Sequence, residues 1–413
     1  MAYFNSPVGS SRCLAATAGR LWAKAVAVGH RWAEAAAGGR FRAILLAGGR
    51  LWVIAVAAMS VGCSRASIRT SYFGTLSSGE RATLFTLTNT SGASVSFTDY
   101  GLRIVSIMVP DLNGSLGDVV VGYGKLDDFE TKDRFVGCVL GRYANRLDSA
   151  SVVLDGQRYQ LEANECREGV PVQCHGGSMG FDRFIWESEP CGATAVRFHR
   201  ISPSLEEGYP GNLDCHVTYT WTEDNVLRIE YEACTDAVTV VNLSNHTYFN
   251  PRGAESCDYV MSCRLWVDAD SCILNNGRYI PESIVPVEGT ALDFRVERRM
   301  DQKAEMPLGS KIPVGSWLVR DWDGTLRKVA SLYDSRCGRL IEDWTTEPNM
   351  LTFAARSWTG SVCGKYGPLE KYSGMLFENL HPADSPNQPR FPSTLLRPGE
   401  KYYSCTEYRF LVR

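Results

Sequence analysis

The chain has 413 residues, of which 44% are hydrophobic and 22% are charged, and its formal net charge is −3. These values are ordinary for a globular protein, and the near-neutral balance provides no basic surface for nucleic acid or for an anionic membrane. We therefore expect no nucleic-acid partner and no membrane partner for the folded part of the chain.

The cysteines are scattered and form no recognisable motif. Fourteen are present, no two are spaced as in Cys-x-x-Cys, and Cys138, Cys215, Cys263 and Cys405 fall inside runs typical of strands. This pattern argues against a cysteine-based zinc or redox site and is typical of buried free thiols in a reducing compartment. We therefore favour a cytoplasmic location.

Residues 1–66 differ from the rest of the chain because they are rich in Ala, Gly and Arg. A twelve-residue apolar run, Leu51–Gly62, follows Arg50 and ends at Cys63. That length suits the hydrophobic region of a signal peptide and is too short to span a bilayer. Two alternatives follow. Residues 50–63 direct secretion or lipid anchoring, or residues 1–66 form an extension that is not part of the fold.

From about Ile68 onward the sequence reads as successive short strands separated by turn residues. Ala82–Thr88 is typical of a strand, and the pairs Asn113–Gly114 and Asp155–Gly156 indicate two hairpins. No amphipathic helix longer than about ten residues follows the N-terminal segment. The sequence therefore predicts one all-β domain, a large sandwich or barrel, over residues 67–413.

Four segments carry polar or ionisable side chains where an ordinary strand or turn would be apolar. They are Gly141–Arg146, His175–Asp182, Leu243–Asn250 and Gly374–Leu380. Each has an ordinary explanation: surface arginines, a glycine-rich turn, a core histidine, and a strand-end glutamate paired with an arginine. Each also fits a ligand cleft, since a guanidinium binds ligand oxygens and glycines let the backbone approach a ligand closely.

His246 follows a run rich in β-branched residues, Val238–Leu243, which predicts a strand. Because successive side chains of a strand point to opposite faces, we expect Ser244, His246 and Tyr248 on one face. Two hydroxyl side chains then flank the imidazole, which suits a ligand rich in hydroxyl groups.

Glu378 lies in an otherwise apolar strand and is expected to share a face with Leu376 and Leu380. Removal from water raises the pKa of a carboxyl group and makes its ionised form a stronger base. With His246 in the same cleft, the two groups would be the minimum for acid–base catalysis. The proline-rich loop 382–392 could close over that cleft.

These segments, in this order and at these separations, resemble the aldose 1-epimerase (galactose mutarotase) family. The similarity runs from about Phe73–Leu76 to Tyr408–Phe410, nearly the whole predicted domain. Its most specific parts are Gly141–Arg146, His175–Gly177 with Gly180–Asp182, and Asn245–Asn250.

The resemblance implies a β-supersandwich with an open sugar cleft and with neither a metal nor an organic cofactor. It also implies that the enzyme, a monomer or a dimer, interconverts the α and β anomers of a free aldohexose such as galactose or glucose. Glu378 would be the base at the anomeric hydroxyl, and His246 the acid at the ring oxygen. The substrate-binding residues would be Asn145, Arg146, His175 and Tyr248.

The departures from the family concern the binding of sugar hydroxyls. No aspartate stands in Val314–Val319, where the family usually has one beside a histidine, and Asp321 or Asp323 would reach the cleft only with a shift in register. Leu380 and Arg356 replace residues that are usually polar and uncharged. Because losing one buried hydrogen bond costs roughly 1–3 kcal/mol, we expect weaker or shifted sugar specificity and retained chemistry.

Two other functions remain open. A non-catalytic sugar-binding or regulatory protein on the same scaffold would explain the altered positions, although retention of His246 and Glu378 argues against it. An epimerase of a phosphorylated hexose is the second, because Arg356 could pair with a phosphate. A glycoside hydrolase usually needs two carboxylates that flank the bond, and the sequence places only Glu378.

Overall fold

The computed structural model describes residues 65–132, 135–256, 259–301 and 314–413. The sequence predicts a leader or an extension over residues 1–66. Residues 1–64 lie outside the described ranges, so both alternatives stay predictions. Within the ranges, no helix combines the length and the apolar character that crossing a bilayer requires.

Short strands make up nearly half of the described chain, and its single α-helix, α1 (Leu126–Thr131), has six residues. The strands of the first half are β1 (Ser67–Thr75), β2 (Arg81–Thr88), β3 (Ser94–Thr98), β4 (Ile104–Pro110), β5 (Leu116–Asp118), β6 (Val120–Val121), β7 (Val139–Leu140), β8 (Arg146–Asp148), β9 (Ser151–Leu154), β10 (Gln157–Gln160), β11 (Glu165–Arg167), β12 (Val170–Cys174), β13 (Glu187–Cys191), β14 (Ala195–Ser202), β15 (Leu213–Trp221) and β16 (Val226–Thr235). Those of the second half are β17 (Thr239–Val240), β18 (Ser244–Asn245), β19 (Tyr248–Phe249), β20 (Arg264–Val267), β21 (Ser271–Asn275), β22 (Pro281–Pro286), β23 (Arg298–Arg299), β24 (Val314–Leu318), β25 (Arg327–Tyr333), β26 (Arg339–Thr345), β27 (Asn349–Ala354), β28 (Cys363–Gly364), β29 (Gly367–Pro368), β30 (Met375–Leu380), β31 (Leu395–Leu396) and β32 (Tyr402–Val412). Short 3-10 turns lie at Phe181–Arg183, Glu206–Gly208, Ala254–Ser256, Val260–Ser262 and Ser385–Asn387.

Three sheets contain most of these strands. A five-stranded sheet runs β1-β2-β3-β4-β5, a nine-stranded sheet runs β13-β14-β15-β16-β32-β26-β25-β20-β23, and a seven-stranded sheet runs β22-β21-β24-β27-β30-β19-β6. The neighbouring strands of all three pair antiparallel. The prediction of an all-β architecture is confirmed.

Both predicted hairpins form, because their turn residues suit the twist of the strands. β4 pairs with β5 across the turn that contains Asn113–Gly114. In β9 and β10, Leu154 lies opposite Gln157, which leaves Asp155 and Gly156 as a two-residue turn. Their φ angles are +48° and +84°, as a type I′ turn requires at both central positions.

The seven-stranded and nine-stranded sheets pack face to face through aromatic side chains. Phe249 of β19 lies 4.8 Å from Tyr408 and 6.2 Å from Phe410 of β32, measured between ring centroids. The Tyr408 hydroxyl donates a hydrogen bond to the carbonyl oxygen of Phe377 in β30, at 3.0 Å. Because this buried layer takes one face of β30, only the opposite face is left to line a cleft.

The predicted strand Val238–Leu243 is interrupted, because the chain changes partner repeatedly there. Only Thr239–Val240 is a strand, and it pairs with β31, whereas β18 pairs with β7 and β19 pairs with both β30 and β6. Residue propensity reports a preference for extended structure and does not reveal a change of partner. Ser244 is buried and does not line a cleft beside His246, contrary to the alternation expected from the sequence.

The loop 382–392 supports the chain beneath the cleft and does not close over it. The backbone N–H of Asp384 donates to the carbonyl oxygen of Arg146 at 2.7 Å, and the Asp384 carboxylate accepts from the backbone N–H of Asp148 at 3.0 Å. None of the loop residues lines the cleft described below.

The eleven described cysteines are free thiols, and six of them are buried. Cys215 and Cys405 lie within β15 and β32, whereas Cys138 and Cys263 directly precede β7 and β20, and all four are buried. The prediction of buried free thiols is confirmed for these four positions.

Candidate active site

A cleft of about 360 Å³ borders the seven-stranded sheet and brings together all six of the predicted site residues. Its lining is Phe135, Asn145, Arg146, Glu165, Arg167, Cys174, His175, His246, Tyr248, Asn275, Tyr279, Leu351, Phe353, Arg356, Ser357, Leu376 and Glu378. These residues come from distant parts of the chain, so the cleft exists only in the folded protein.

Glu378 projects into the cleft because β30 has two different faces. Met375 and Phe377 belong to the core between the large sheets, whereas Leu376 and Glu378 line the cleft, as the alternation predicts. Glu378 is only 3% exposed, and this burial raises its pKa to about 8, against a lowering effect of Arg146. A carboxyl group with this pKa is a stronger base, once ionised, than one in water.

His246 is fixed between β18 and β19 by its own backbone. Its N–H donates to the carbonyl oxygen of Cys138, and its carbonyl oxygen accepts from the N–H of Gly137, both at 2.9 Å. Its Nε2 lies 3.6 Å from Oε1 of Glu378. The imidazole and the carboxyl group are therefore neighbours across the cleft, separated by slightly more than a hydrogen bond.

His175 presents its other nitrogen to the same carboxyl group. The backbone N–H of Asn145 donates to Nδ1 of His175 at 3.1 Å. An amide N–H can only donate, so Nδ1 accepts, and in the neutral ring the proton is on Nε2. That Nε2 lies 4.0 Å from Oε1 of Glu378. His175 thus offers an N–H donor at the centre of the cleft.

The glycines after His175 are required by internal packing. A Cβ on Gly176 would lie 1.8 Å from the backbone oxygen of Gly141, and one on Gly177 would lie 2.0 Å from a carboxylate oxygen of Glu207. The expectation that these glycines admit a ligand is therefore wrong. Residues 176–180 also match the Gly-x-Ser-x-Gly pattern of hydrolase nucleophiles, but Ser178 is exposed and no α-helix follows it among the residues that the structure describes.

Arg146 is held by an ion pair that the sequence did not reveal. Its guanidinium makes two hydrogen bonds to Glu165, at 3.0 and 3.1 Å, and Arg167 makes a third to the same carboxylate at 2.9 Å. Both guanidinium groups lie over the ring of Tyr279, at 4.9 and 5.1 Å from its centroid. Arg146 is thus an oriented donor in a cluster of two guanidinium groups and one carboxylate, which together carry a net charge of +1.

Glu165 stays ionised in this arrangement. Burial raises its pKa, but the hydrogen bonds from Arg167 and Arg146 outweigh burial and lower it to about 2. Glu165 and Arg167 share one face of β11, and this two-residue spacing was the only signal in the sequence. Tyr279 gave no signal, because it reaches the cleft from the turn between β21 and β22.

Aromatic side chains form the walls. The ring of Tyr248 lies 5.3 Å from that of His246 and 4.6 Å from that of Trp358, and Phe135 lies 4.7 Å from His175. Flat apolar walls beside a few fixed polar groups are typical of small-molecule sites.

The substituted recognition positions have different outcomes. Asp321 and Asp323 are exposed and do not line the cleft, so neither replaces the missing aspartate. Leu380 is fully buried outside the lining, whereas Arg356 is part of it. The altered position that faces the cleft is therefore Arg356, which follows the end of β27.

One set of groups in the cleft could hold a metal ion. His175, His246 and Glu378 each offer a ligand atom, and these atoms lie within 4.8 Å of one another. Two imidazoles and a carboxylate can bind zinc. The resemblance implies no metal, and that expectation stays a prediction.

Comparison with known proteins agrees with the resemblance. The family profile described as "Aldose 1-epimerase" matches residues 83–409. The chain is 33% identical over 356 residues to the galactose mutarotase of Rattus norvegicus, a match that covers 84% of this chain and 99% of the relative. It is 32% identical over 338 residues to the aldose 1-epimerase of Haemophilus influenzae, covering 79% of this chain and 95% of the relative.

Solved structures support the fold. A C. elegans aldose epimerase homologue matches with a TM-score of 0.70 and 23% identity, over 83% of this chain and 99% of that chain. Galactose 1-epimerase of Lactobacillus acidophilus matches with a TM-score of 0.71 and 22% identity, over 84% and 99%. These likenesses confirm a galactose mutarotase-like β-sandwich.

Replacing Glu165 tests the ion-pair cluster. We expect Glu165→Gln to lower the free energy of unfolding by about 1–3 kcal/mol, because Arg146 and Arg167 would keep their charges at close range without a carboxylate. The measurement is urea denaturation followed by circular dichroism. Glu162→Gln, at an exposed position nearby, is the control and should change stability little. Equal stability of both variants would contradict the prediction.

Proposed function

We propose, because the chain belongs to the aldose 1-epimerase family, that it is an isomerase which interconverts the α and β anomers of free aldohexoses. Galactose and glucose are the proposed substrates. The names of the relatives support galactose in particular, since the mammalian ones are galactose mutarotases.

The observation that carries the proposal is one buried oxygen atom. Oε1 of Glu378 is inaccessible to solvent and has no hydrogen-bond partner in the described part of the chain, yet it lies between Nε2 of His246 and Nε2 of His175. A buried acceptor of this kind needs a reason, and a sugar hydroxyl would supply the missing donor.

The proposed reaction needs one base and one acid. Glu378 takes the proton of the anomeric hydroxyl while His246 gives a proton to the ring oxygen, and the bond between the anomeric carbon and the ring oxygen breaks. The aldehyde end of the open chain then rotates by half a turn. The ring closes on the other face as both proton transfers reverse, so the two residues return to their starting states.

Glu378 and His246 must therefore share one proton before the sugar reacts. The working form has an ionised carboxyl group and a protonated imidazole, which together hold the same number of protons as a neutral acid and a neutral imidazole. Because the two groups are so close, their titration belongs to the pair. The working form is lost when Glu378 and His246 together bind a second proton, or when they lose the single proton that they share.

The remaining groups fit roles in binding. The Nε2–H of His175 and the guanidinium of Arg146, which is paired with Glu165, are donors for sugar oxygens. The side-chain amide of Asn145 is a further polar group beside them. The ring of Tyr248 provides an apolar wall for the sugar carbons. Holding the substrate against two preplaced groups supplies much of the acceleration.

A second candidate substrate is a hexose that carries a phosphate. The Arg356 guanidinium lies 5.8 Å from the ring of Phe353 and makes no ion pair with any residue that the structure describes. An uncompensated guanidinium at a cleft can bind a phosphate with two hydrogen bonds.

The non-catalytic alternative has less support, since both proton-transfer groups are present and adjacent. Glycoside hydrolysis is not favoured, because both oxygens of Glu165, the second carboxylate of the cleft, already accept hydrogen bonds from Arg146 and Arg167.

Polarimetry of freshly dissolved α-galactose and α-glucose tests the proposed activity. We expect the wild type to accelerate equilibration, and Glu378→Gln and His246→Asn each to slow the catalysed rate by about 10²–10⁴-fold. Glu347→Gln and His381→Asn are matched controls, because they alter a glutamate–histidine pair joined at 2.7 Å outside the cleft. Sugar binding by a folded protein without acceleration would favour the non-catalytic alternative.

The pH dependence tests whether one proton is shared. Glu378 has a raised pKa of about 8, so raising the pH through 8 removes the last proton of the pair and leaves His246 none to donate. We expect kcat/KM, corrected for the buffer reaction, to fall about tenfold per pH unit above 8. A rise through pH 8 to a plateau would show that ionised Glu378 suffices and would remove His246 as the acid.

Substitution of Arg356 separates the two substrate classes. If a phosphorylated hexose is the substrate, kcat/KM for glucose 6-phosphate exceeds that for glucose, and Arg356→Gln lowers the former by about 10–100-fold while sparing the latter. Arg69→Gln, at an exposed position on β1, is the control. A higher kcat/KM for glucose in the wild type would exclude the phosphorylated substrate.

A further inference from the structure

A row of polar side chains crosses four strands at one edge of the nine-stranded sheet. Glu187 of β13 lies opposite His199 of β14, His199 lies opposite His216 of β15, and His216 lies opposite Glu232 of β16. Side chains directly opposite one another in antiparallel strands are close enough to interact. Asp214 is two residues before His216 and shares its face.

The row lies on the outer face of the sheet. Phe198 and Val217, which adjoin the two histidines in sequence, are fully buried in the core, so His199 and His216 project the other way. Neither histidine lines the sugar cleft, and the proposed chemistry uses neither. They line a shallow surface cavity together with Glu187 and Arg197.

The donor atoms converge on a single point. Oδ1 of Asp214 lies 2.9 Å from Nε2 of His199 and 3.4 Å from Nε2 of His216. The two imidazole rings are stacked, with centroids 4.5 Å apart and an angle of 21° between their planes. One ligand atom from each of the three residues lies within 4.8 Å of the others.

We propose that His199, Asp214 and His216 form a binding site for a divalent transition-metal ion such as Zn²⁺. Ligand atoms about 2.0–2.1 Å from a tetrahedral ion are about 3.3 Å apart, so the two observed separations need only small adjustments. Water would complete the coordination. Two imidazoles and one carboxylate select a borderline ion over Mg²⁺ or Ca²⁺, which prefer oxygen ligands.

A carboxylate also orients one of the histidines from behind. Oε2 of Glu187 lies 3.3 Å from Nδ1 of His199, and Oδ1 of Asp214 lies 2.9 Å from its Nε2, so without an ion Nε2 donates to Asp214. An ion would take the place of that proton, and Nδ1 would then donate to Glu187. Metal-bound histidines characteristically have such a carboxylate partner. An ion here would couple β14 and β15 directly and the edge strand β13 through Glu187.

The surrounding charges favour a cation. Arg197 and Lys401 are the nearby positive groups, and both pair with Glu232, which leaves one positive charge uncancelled. Glu187 and Asp214 remain, and both are exposed to solvent. The local charge before metal binding is therefore negative, which is the sign that attracts a divalent cation.

Titration of the full chain with Co²⁺ under reducing conditions, followed by absorption spectroscopy, tests the site. We expect one equivalent to bind with visible bands of a tetrahedral ion and without the near-ultraviolet charge-transfer band of a thiolate ligand. His199→Gln and His216→Gln should each weaken binding at least about tenfold. His381→Gln is the matched control, and His246→Asn removes the competing ligand in the sugar cleft; both should bind as the wild type does.

Thermal unfolding provides a second measurement that does not depend on the absorption spectrum of bound Co²⁺. Because an ion that binds only the folded state stabilises it, Zn²⁺ should raise the unfolding temperature of the wild type and of His246→Asn but not of His199→Gln. The proposal would be overturned if Co²⁺ did not bind or if its spectrum showed a thiolate band. Unchanged affinity in both His199→Gln and His216→Gln, or loss of binding in His246→Asn, would also overturn it. None of these outcomes depends on the mutarotase activity.

Discussion

The cleft depends on one constraint: the carboxyl group of Glu378 must be shielded from water and still lie beside the imidazoles of His246 and His175. Glu378 meets it because β30 is an interior strand that the core covers on one face through Phe377, so the opposite face is buried wherever the cleft walls cover it. An exposed loop could not impose the same desolvation. The backbone bonds of His246 and the amide that fixes His175 place both Nε2 atoms at the same carboxylate oxygen. The basicity of the carboxyl group and the positions of its neighbours are therefore both consequences of how strands from distant segments pack.

Arg146 creates an electrostatic conflict that Glu165 relieves. A free guanidinium in the cleft would stabilise the ionised form of Glu378 and weaken it as a base. Because Glu165 makes two hydrogen bonds to Arg146, the Glu378 carboxyl group meets an ion pair whose opposite charges partly cancel. Arg167 adds a second guanidinium to Glu165 and shares the ring of Tyr279, so the three residues carry a net charge of +1. The cluster keeps an oriented donor near the ligand, and burial raises the pKa of Glu378 by more than Arg146 lowers it.

The sequence predicts what is local and misses what depends on partners. The hairpin turn at Asp155–Gly156 and the cleft-facing position of Glu378 follow from turn chemistry and strand alternation, and both are confirmed. The interruption of Val238–Leu243 arises from changes of pairing partner, which composition does not record. Glu165 looks like ordinary surface charge until the fold brings Arg146 to it. That His246 lies close to Glu378 was expected from family resemblance together with strand alternation, because no local pattern alone relates residues so far apart in the chain.

Two residues that line the cleft, Arg356 and Tyr279, are carried by a different kind of backbone from the proton-transfer groups. Glu378 is inside a paired strand, and His246 is bound through its backbone between two strands, so a change at either would disturb the packing that holds it. Arg356 follows the end of β27 and Tyr279 lies in a turn, where a new side chain alters the ligand surface without moving a sheet. Recognition can therefore change at Arg356 while the acid–base pair is kept.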